Sequence, residues 1–336
     1  MNIYDIARKA GVSIATVSRV INDSAHVREA TRQKVLSVIA DANYTPNAFA
    51  RNLSARSSRT VGVLCTDIYD NMYYTRAIAV LEQKLHQYGL DVLLWCTGRD
   101  LEDKKKAVNM LLSRKVDGLV LVGSDFTEQK DHSHIARAAA NVPVMIINSL
   151  LELPGTYCLL CDEQAAEHGV VRALYRDGYR NIAFVYANEA RSTQLKRAGY
   201  KRGIASCGLE VNPSWVLKAP NDIYRGATVI RKMLEAMPRP CAVVASGDLL
   251  ACAALKAAAA LGLRVPEDVA VVGCNNSLLC TCATPSLTSI DNMADGLCTR
   301  AIDMMQQLFG GEQCPQVVTL PARLVVRESY RPAHTK

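Results

Sequence analysis

From Val61 onward the chain repeats one pattern, an apolar run of strand length followed by a stretch of helical periodicity. Nine such runs occur: VGVLCT, LDVLLWCT, GLVLVGS, VPVMIINS, YCLLCD, NIAFVYA, WVLKA, CAVVAS and VAVVGC. Strands this apolar are covered on both faces, and strands that alternate with helices are joined by crossovers, so the pattern demands parallel sheets flanked by helices. Nine strands are many for a single sheet, and the pattern divides near residues 150–160, around ELPGTY. The expected fold is α/β, with two doubly wound subdomains whose ligand-binding loops lie beyond the carboxyl ends of the strands.

The residues before Val61 obey a different rule. In IYDIARKAGVSIATVSRVIN (residues 3–22), Ile6, Ala7 and Ala10 fall at helical spacing, Gly11 can take positive φ, and Ser13 can cap a second helix carrying Val17, Val20 and Ile21. Two short helices across a glycine turn are the order of a helix-turn-helix, whose second helix enters the DNA major groove. A third helix fits residues 29–43, with Val35, Val38, Ile39 and Ala42 on one stripe and a poor N-cap in Arg28. Pro46 then discourages helix at Thr45, and Asn47 can cap a short helix, AFARNLS. That segment is shorter than the ~12–15 residues an isolated helix needs, so it is expected to fray in the free protein. SARSSRT reads as a basic linker.

These divisions predict an all-α headpiece at 1–46, a hinge helix and linker at 47–60, and a two-lobed core at 61–330. Within the core the N-lobe is expected at about 61–155 and 291–318, and the C-lobe at about 156–288 and 319–330.

Charge supports the division. The chain of 336 residues carries a net charge of +7, and residues 1–60 hold nine basic against four acidic side chains, which concentrates basicity where phosphates would be neutralised. The twelve cysteines include several inside apolar runs, Cys65, Cys96, Cys241 and Cys274, as expected of reduced thiols acting as small hydrophobes in a cytoplasmic protein. The start of the chain carries Asp5 and no apolar signal segment, and no run reaches membrane-spanning length, so no membrane partner is expected.

Other conspicuous residues carry little chemistry. Cys158 and Cys161 form a C-x-x-C, but residues three apart on a strand face opposite sides; Cys280 and Cys282, near Cys274, have no histidine cluster beside them. No metal or cofactor is expected. His132, His134 and the run DKKKA at 103–107 are expected to be solvated.

Several segments together resemble the lactose-repressor family of bacterial transcription regulators. They are residues 3–22, TRQKV, YTPNAFARNLSARSSRTVGVL, AGY at 198–200, GLRVPEDVAVVG at 262–273 and PSLTSID at 285–291. The resemblance spans nearly the whole chain, and implies a core of the periplasmic-binding-protein-like type and a homodimer that binds a palindromic operator under control of a small effector. It further implies that the first core helix, YTRAIAVLEQKLHQYG, contributes to the dimer face.

On the DNA side, the resemblance places Ser13, Ile14, Ala15, Thr16, Ser18, Arg19 and Asn22 in the recognition region. Arg19 can pair bidentately with guanine, Ile14 and Ala15 offer apolar contact to a thymine methyl, and Thr16 and Ser18 suit phosphate anchoring. In the hinge, Asn47, Ala50 and Leu53 are implied, with Leu53 and its symmetry copy wedging into the minor groove while Ala50 permits close approach.

For the effector, the candidates are Asp67, Tyr69, Tyr73, Tyr74, Asn148, Asp162, Arg191, Lys196, Gly247, Asp248 and Asn275. Tyr73 and Tyr74 match a place where relatives set rings against the ligand. Asp162, Arg191 and Asp248 compete with a simpler reading, since Asp between a strand and a helix often serves as an N-cap. Many sugar-binding relatives have Arg, Asn, Asp and a second acid where this chain has Lys196, Gly247, Asn275 and Asn148. Lys is a flexible point charge rather than a planar fork, and two carboxylates have become amides. The expected effector is a sugar, sugar phosphate or sugar acid, with Lys196 favouring an anion.

Two other classes share parts of this pattern. A transport solute-binding protein has the two-lobed core but no headpiece. An enzyme acting on a sugar or nucleotide would need a paired acid and base or a phosphate-binding glycine loop, and neither G-x-x-x-x-G-K-[ST] nor G-x-G-x-x-G occurs. No catalytic residue is expected.

Overall fold

The computed structural model describes residues 2–21, 26–42, 58–68, 72–127 and 131–333. They fall into two units, one of residues 1–60 with 115–117 and one of the remainder. Asn22, Asn47, Ala50, Leu53 and Tyr69 lie outside the described residues.

The first unit holds α1 (Ile3–Ala10), α2 (Ile14–Ile21) and α3 (Glu29–Asp41). Asn2 starts α1 with a reciprocal capping box to Asp5, and Gly11 ends it in the left-handed conformation at φ 62°. Ser13 accepts the Thr16 N–H at 3.1 Å and so opens α2. α3 has no side-chain cap at Arg28. Ile6, Ala7, Ala10, Val17, Val20 and Val35 are buried together and make the small core that orients the three helices.

The second unit contains two six-stranded sheets. The first is ordered β11-β5-β4-β3-β1-β2, from β1 (Thr60–Cys65), β2 (Asp91–Cys96), β3 (Gly118–Val122), β4 (Val144–Ile147), β5 (Thr156–Cys161) and β11 (Val317–Leu320). The second is ordered β12-β10-β9-β8-β6-β7, from β6 (Asn181–Tyr186), β7 (Val216–Lys218), β8 (Cys241–Ala245), β9 (Val269–Cys274), β10 (Thr288–Asp291) and β12 (Arg323–Val325). Every recorded strand pairing is parallel except β10 with β12. In each sheet the order turns back on itself, at β1/β3 and at β6/β8, which are the switch points where a doubly wound sheet opens a crevice.

Helices that matter to the site are α4 (Met72–Gln87), α5 (Leu101–Ser113), α6 (Ser133–Ala139), α7 (Glu163–Arg176), α8 (Arg191–Ser206), α9 (Ile223–Ala236), α10 (Asp248–Ala260), α11 (Leu279–Cys282) and α12 (Ala294–Phe309). α4 and α12 share one core with the first sheet, through Leu81, Leu85, Leu297 and Ala301. Residues of α9 and α10 cover one face of the second sheet, whereas Val171, Leu174, Tyr200 and Ile204 of α7 and α8 cover the other.

Pairing of β5 with β4 and of β11 with β5 carries the first lobe to Cys161 and to Leu320. The expected lobe boundaries at 155 and 318 are thus too early, because ELPGTY joins the paired strands β4 and β5, its last two residues opening β5, and is not the crossing between lobes. Two other expectations fail. Lys104 is buried, donating to the Asp125 carbonyl at 2.5 Å, while Lys105 and Lys106 pair with surface acids. His134 is buried too, and burial depresses its imidazole to about 4. All twelve cysteines are free thiols.

Candidate functional site

In α2 the two faces are chemically distinct. Val17 and Val20 point into the small core, whereas Ile14 (41% exposed), Ala15 and Arg19 are exposed and Thr16 and Ser18 are half-buried. The exposed edge of α2 is therefore free to meet a surface outside the unit. Thr16 Oγ1 lies 2.9 Å from Ser13 Oγ, so the cap also fixes the hydroxyl nearest the helix start.

The second unit has a cleft of roughly 1030 Å³, its open mouth included, at the carboxyl ends of the strands of both lobes. Of the residues singled out from sequence, Tyr73, Tyr74, Asn148, Lys196, Gly247, Asp248 and Asn275 line it. Asp67, Asp162 and Arg191 do not. Asp162 is an exposed N-cap that accepts the Ala165 N–H at 3.0 Å, Arg191 donates to the Leu150 carbonyl at 3.2 Å, and Asp67 is exposed beyond β1. Cap chemistry and ligand chemistry draw on the same side chains, which is why the sequence pattern could not separate them.

Asn148 and Asn275 occupy equivalent places, each just past the fourth strand of its lobe in chain order, β4 and β9. Both have positive φ (59° and 101°), and their N–H groups donate to Leu159 and Ile290 on the next strand, each at 2.8 Å. Asparagine tolerates that conformation and presents its amide to the cleft. Tyr73 and Tyr74 open α4 with their rings edge to face at 5.7 Å. The Tyr74 hydroxyl donates to Asp125 at 3.1 Å, beside Thr66 at 3.0 Å. Gly123 passes so close, at φ 100°, that a side chain there would strike the Tyr74 hydroxyl.

Lys196 does not face the cleft as a free cation. It is 3% exposed, lies 3.2 Å from Glu163 and donates to the Ser246 carbonyl at 3.1 Å. Burial alone would pull its ammonium down, but Glu163 and Glu167 beside it, together with the Cys274 thiol, outweigh burial and raise it. Glu167 is fully buried, neither carboxyl oxygen has a hydrogen-bond partner among the described residues, and burial lifts its carboxyl to about 8 against the pull of Lys196. The AGY sequence explains how these groups meet. A side chain on Gly199 would strike the Gln164 carbonyl, so glycine lets α8 lie against α7, while Tyr200 donates to the Ile182 carbonyl at 2.8 Å. One turn before Gly199, Lys196 then reaches Glu163 at the first turn of α7.

Asp248 is likewise internal. Its carboxylate accepts the Ser277 N–H at 2.7 Å and the Ser289 hydroxyl at 2.6 Å, and burial raises it despite those bonds. Sequence reading missed Arg99, Asp125, Asn221, Ser277 and Asn292, all of which line the cleft. The rule that ligands sit beyond strand ends would have found Arg99 after β2, Asp125 after β3 and Asn221 after β7.

The pattern of bacterial regulatory proteins of the lacI family matches residues 2–47, and that of a periplasmic binding protein-like domain matches residues 171–330. An HTH-type transcriptional regulator of Lachnoclostridium phytofermentans is 40% identical over 331 residues, 98% of this chain and 99% of that one. The chain belongs to the lacI family. Among solved structures, this lacI-family chain is similar to the lac repressor dimer bound to operator and the anti-inducer ONPF, at 28% identity and a TM-score of 0.86, covering 98% of each chain. It is also similar to the transcriptional regulator CelR in complex with cellobiose, at 26% identity and a TM-score of 0.71, covering 98% of this chain and all of that one. Among the described residues, no helix is long and apolar enough to cross a membrane.

Proposed function

We propose that this lacI-family regulator is a cytoplasmic repressor without enzymatic activity, that it binds a palindromic operator as a homodimer, and that a small sugar-like effector in the interlobe cleft controls it. The observation that carries the reading is the exposed edge of α2, Ile14, Ala15 and Arg19, in a chain that also holds a polar cleft at the switch points of two sheets. Arg19 reads guanine, Ile14 and Ala15 meet thymine methyls, Ser13, Thr16, Ser18 and Asn22 hold the backbone, and Asn47, Ala50 and Leu53 belong to the hinge.

Two similar proteins point the same way: one solved relative is a dimer on operator, and another holds cellobiose. For the dimer face we infer α4 and the segment leading into α11. Met72 (40% exposed) and Leu278 (66% exposed) border one hollow there with Thr75, Arg76 and Arg327. Selection of operators from random DNA by the full chain, repeated with a panel of sugars, tests the reading. An enriched inverted repeat whose recovery changes with one sugar is the expected result; no enrichment, or turnover of a bound sugar, would overturn it.

A further inference from the structure

Hydrogen-bonding capacity in the cleft is unbalanced. Several acceptors are engaged within the protein: Oδ2 of Asp125 takes the hydroxyls of Thr66 and Tyr74, and Asp248 takes Ser289 and the Ser277 N–H. Asn188 Oδ1 accepts the Ala190 N–H at 3.1 Å and the Thr193 hydroxyl at 3.0 Å. Because a backbone N–H can only donate, the orientation of that amide is fixed and its NH2 group remains as a donor. Asn275 Oδ1 accepts from Asn292 at 3.0 Å, and Asn275 Nδ2 faces Gly247, 3.8 Å from where a Cβ would stand. Asn292 Oδ1 is a buried acceptor without a partner, enough for one ligand hydroxyl.

Charge leads to the same place. Lys196 is neutralised by Glu163, so it offers an incoming anion no net attraction. Arg99, in the loop between β2 and α5, lines the cleft, is exposed, and has no ion pair among the described residues. Hydroxyls both donate and accept, whereas a carboxylate or phosphate only accepts. An oxyanion can therefore use the amide donors of Asn188 and Asn275, and the guanidinium fork of Arg99 is suited to hold it.

We propose that the effector is an acidic small molecule, a sugar acid or sugar phosphate, whose oxyanion pairs with Arg99 and whose remaining oxygens take the amide donors of Asn188 and Asn275. Lys196, the natural choice from sequence, is a positioning residue that ties α7, α8 and the end of β8 together. This inference rests on the reading of the cleft as the effector site.

Isothermal titration of the full chain tests it, using common hexoses, each matched with its uronic acid, aldonic acid and 6-phosphate. At least one acidic ligand is expected to bind tenfold or more tightly than its neutral parent, and the comparison of acids with phosphates identifies the oxyanion. Arg99→Gln should weaken that ligand at least tenfold without shifting the melting temperature. Asn188→Asp keeps the oxygen that caps Ala190 and Thr193 but replaces a donor with an anion, and should weaken it as well. A neutral parent that binds as tightly as its acid, or an unaltered affinity in Arg99→Gln, overturns the inference while leaving the cleft as an effector site. Silence of the whole panel, neutral and acidic alike, overturns both.

Discussion

Single residues in this protein are informative when their burial contradicts their chemistry. Ile14 is apolar and exposed; Lys196, Glu163 and Glu167 are ionisable and buried. The first pattern suits a surface that meets DNA, and the base-reading role of Arg19 beside it has a measurable size. Arg19→Ala is expected to weaken operator binding by about 1–3 kcal/mol and to relax preference at one symmetric base pair. Binding isotherms on single-base operator variants check this, and uniform weakening on every sequence would make Arg19 a phosphate contact instead.

The buried ions concern stability. Removing the cation in Lys196→Met strands Glu163 in the interior, and urea unfolding should show a loss of about 3 kcal/mol. Glu167 adds a pH dependence. Its carboxyl titrates at about 8 when folded against an ordinary value of 4.5, so between those limits the folded chain holds the extra proton. That contribution to stability is fully present below about pH 4.5 and is lost as pH rises through about 8. Glu167→Gln, which stays neutral, should therefore stabilise by up to about 5 kcal/mol at pH 9 and change little at pH 5. A gain of equal size at both pH values in thermal unfolding would assign the effect to packing.

At the scale of elements, apolar runs bounded by turn residues made the first nine strands legible, while β10, β11 and β12 escaped notice. β10 (TSID) and β12 (RLV) are not continuous apolar runs, β11 and β12 are only partly buried, and all three form by pairing with strands to which no tight turn joins them. Strand ends marked the cleft correctly at Asn148, Gly247 and Asn275, because sheet topology alone decides where loops converge. The engagement of Lys196 was not legible, since its partner Glu163 stands on another helix and the contact exists only because Gly199 lets α8 approach α7. The hinge is an element read from sequence. Leu53→Ala is expected to reduce operator affinity tenfold or more while binding to random DNA barely changes. Circular-permutation gel shifts should show the bend lost, and an unchanged bend would refute the wedge.

The whole molecule combines two properties that neither unit has by itself. One helix-turn-helix touches only a few base pairs, so useful affinity needs two of them held at a fixed spacing. An effector can then act without touching DNA, if the two states of the core present the paired headpieces differently and it binds one state better. Arg76 is placed to register such a change. It holds Asp295 of α12 at 2.6 and 2.7 Å within the first lobe and donates to the Asn276 carbonyl of the second at 3.1 Å.

The most direct test is fluorescence anisotropy of the full chain on its selected operator and on a single half-site, at one fixed salt concentration, with and without the acidic ligand. The palindrome is expected to bind at least a hundredfold more tightly than the half-site, and saturating ligand is expected to change operator affinity at least tenfold. Equal binding to palindrome and half-site, or an operator affinity that ignores a ligand shown to occupy the cleft, would contradict this mechanism.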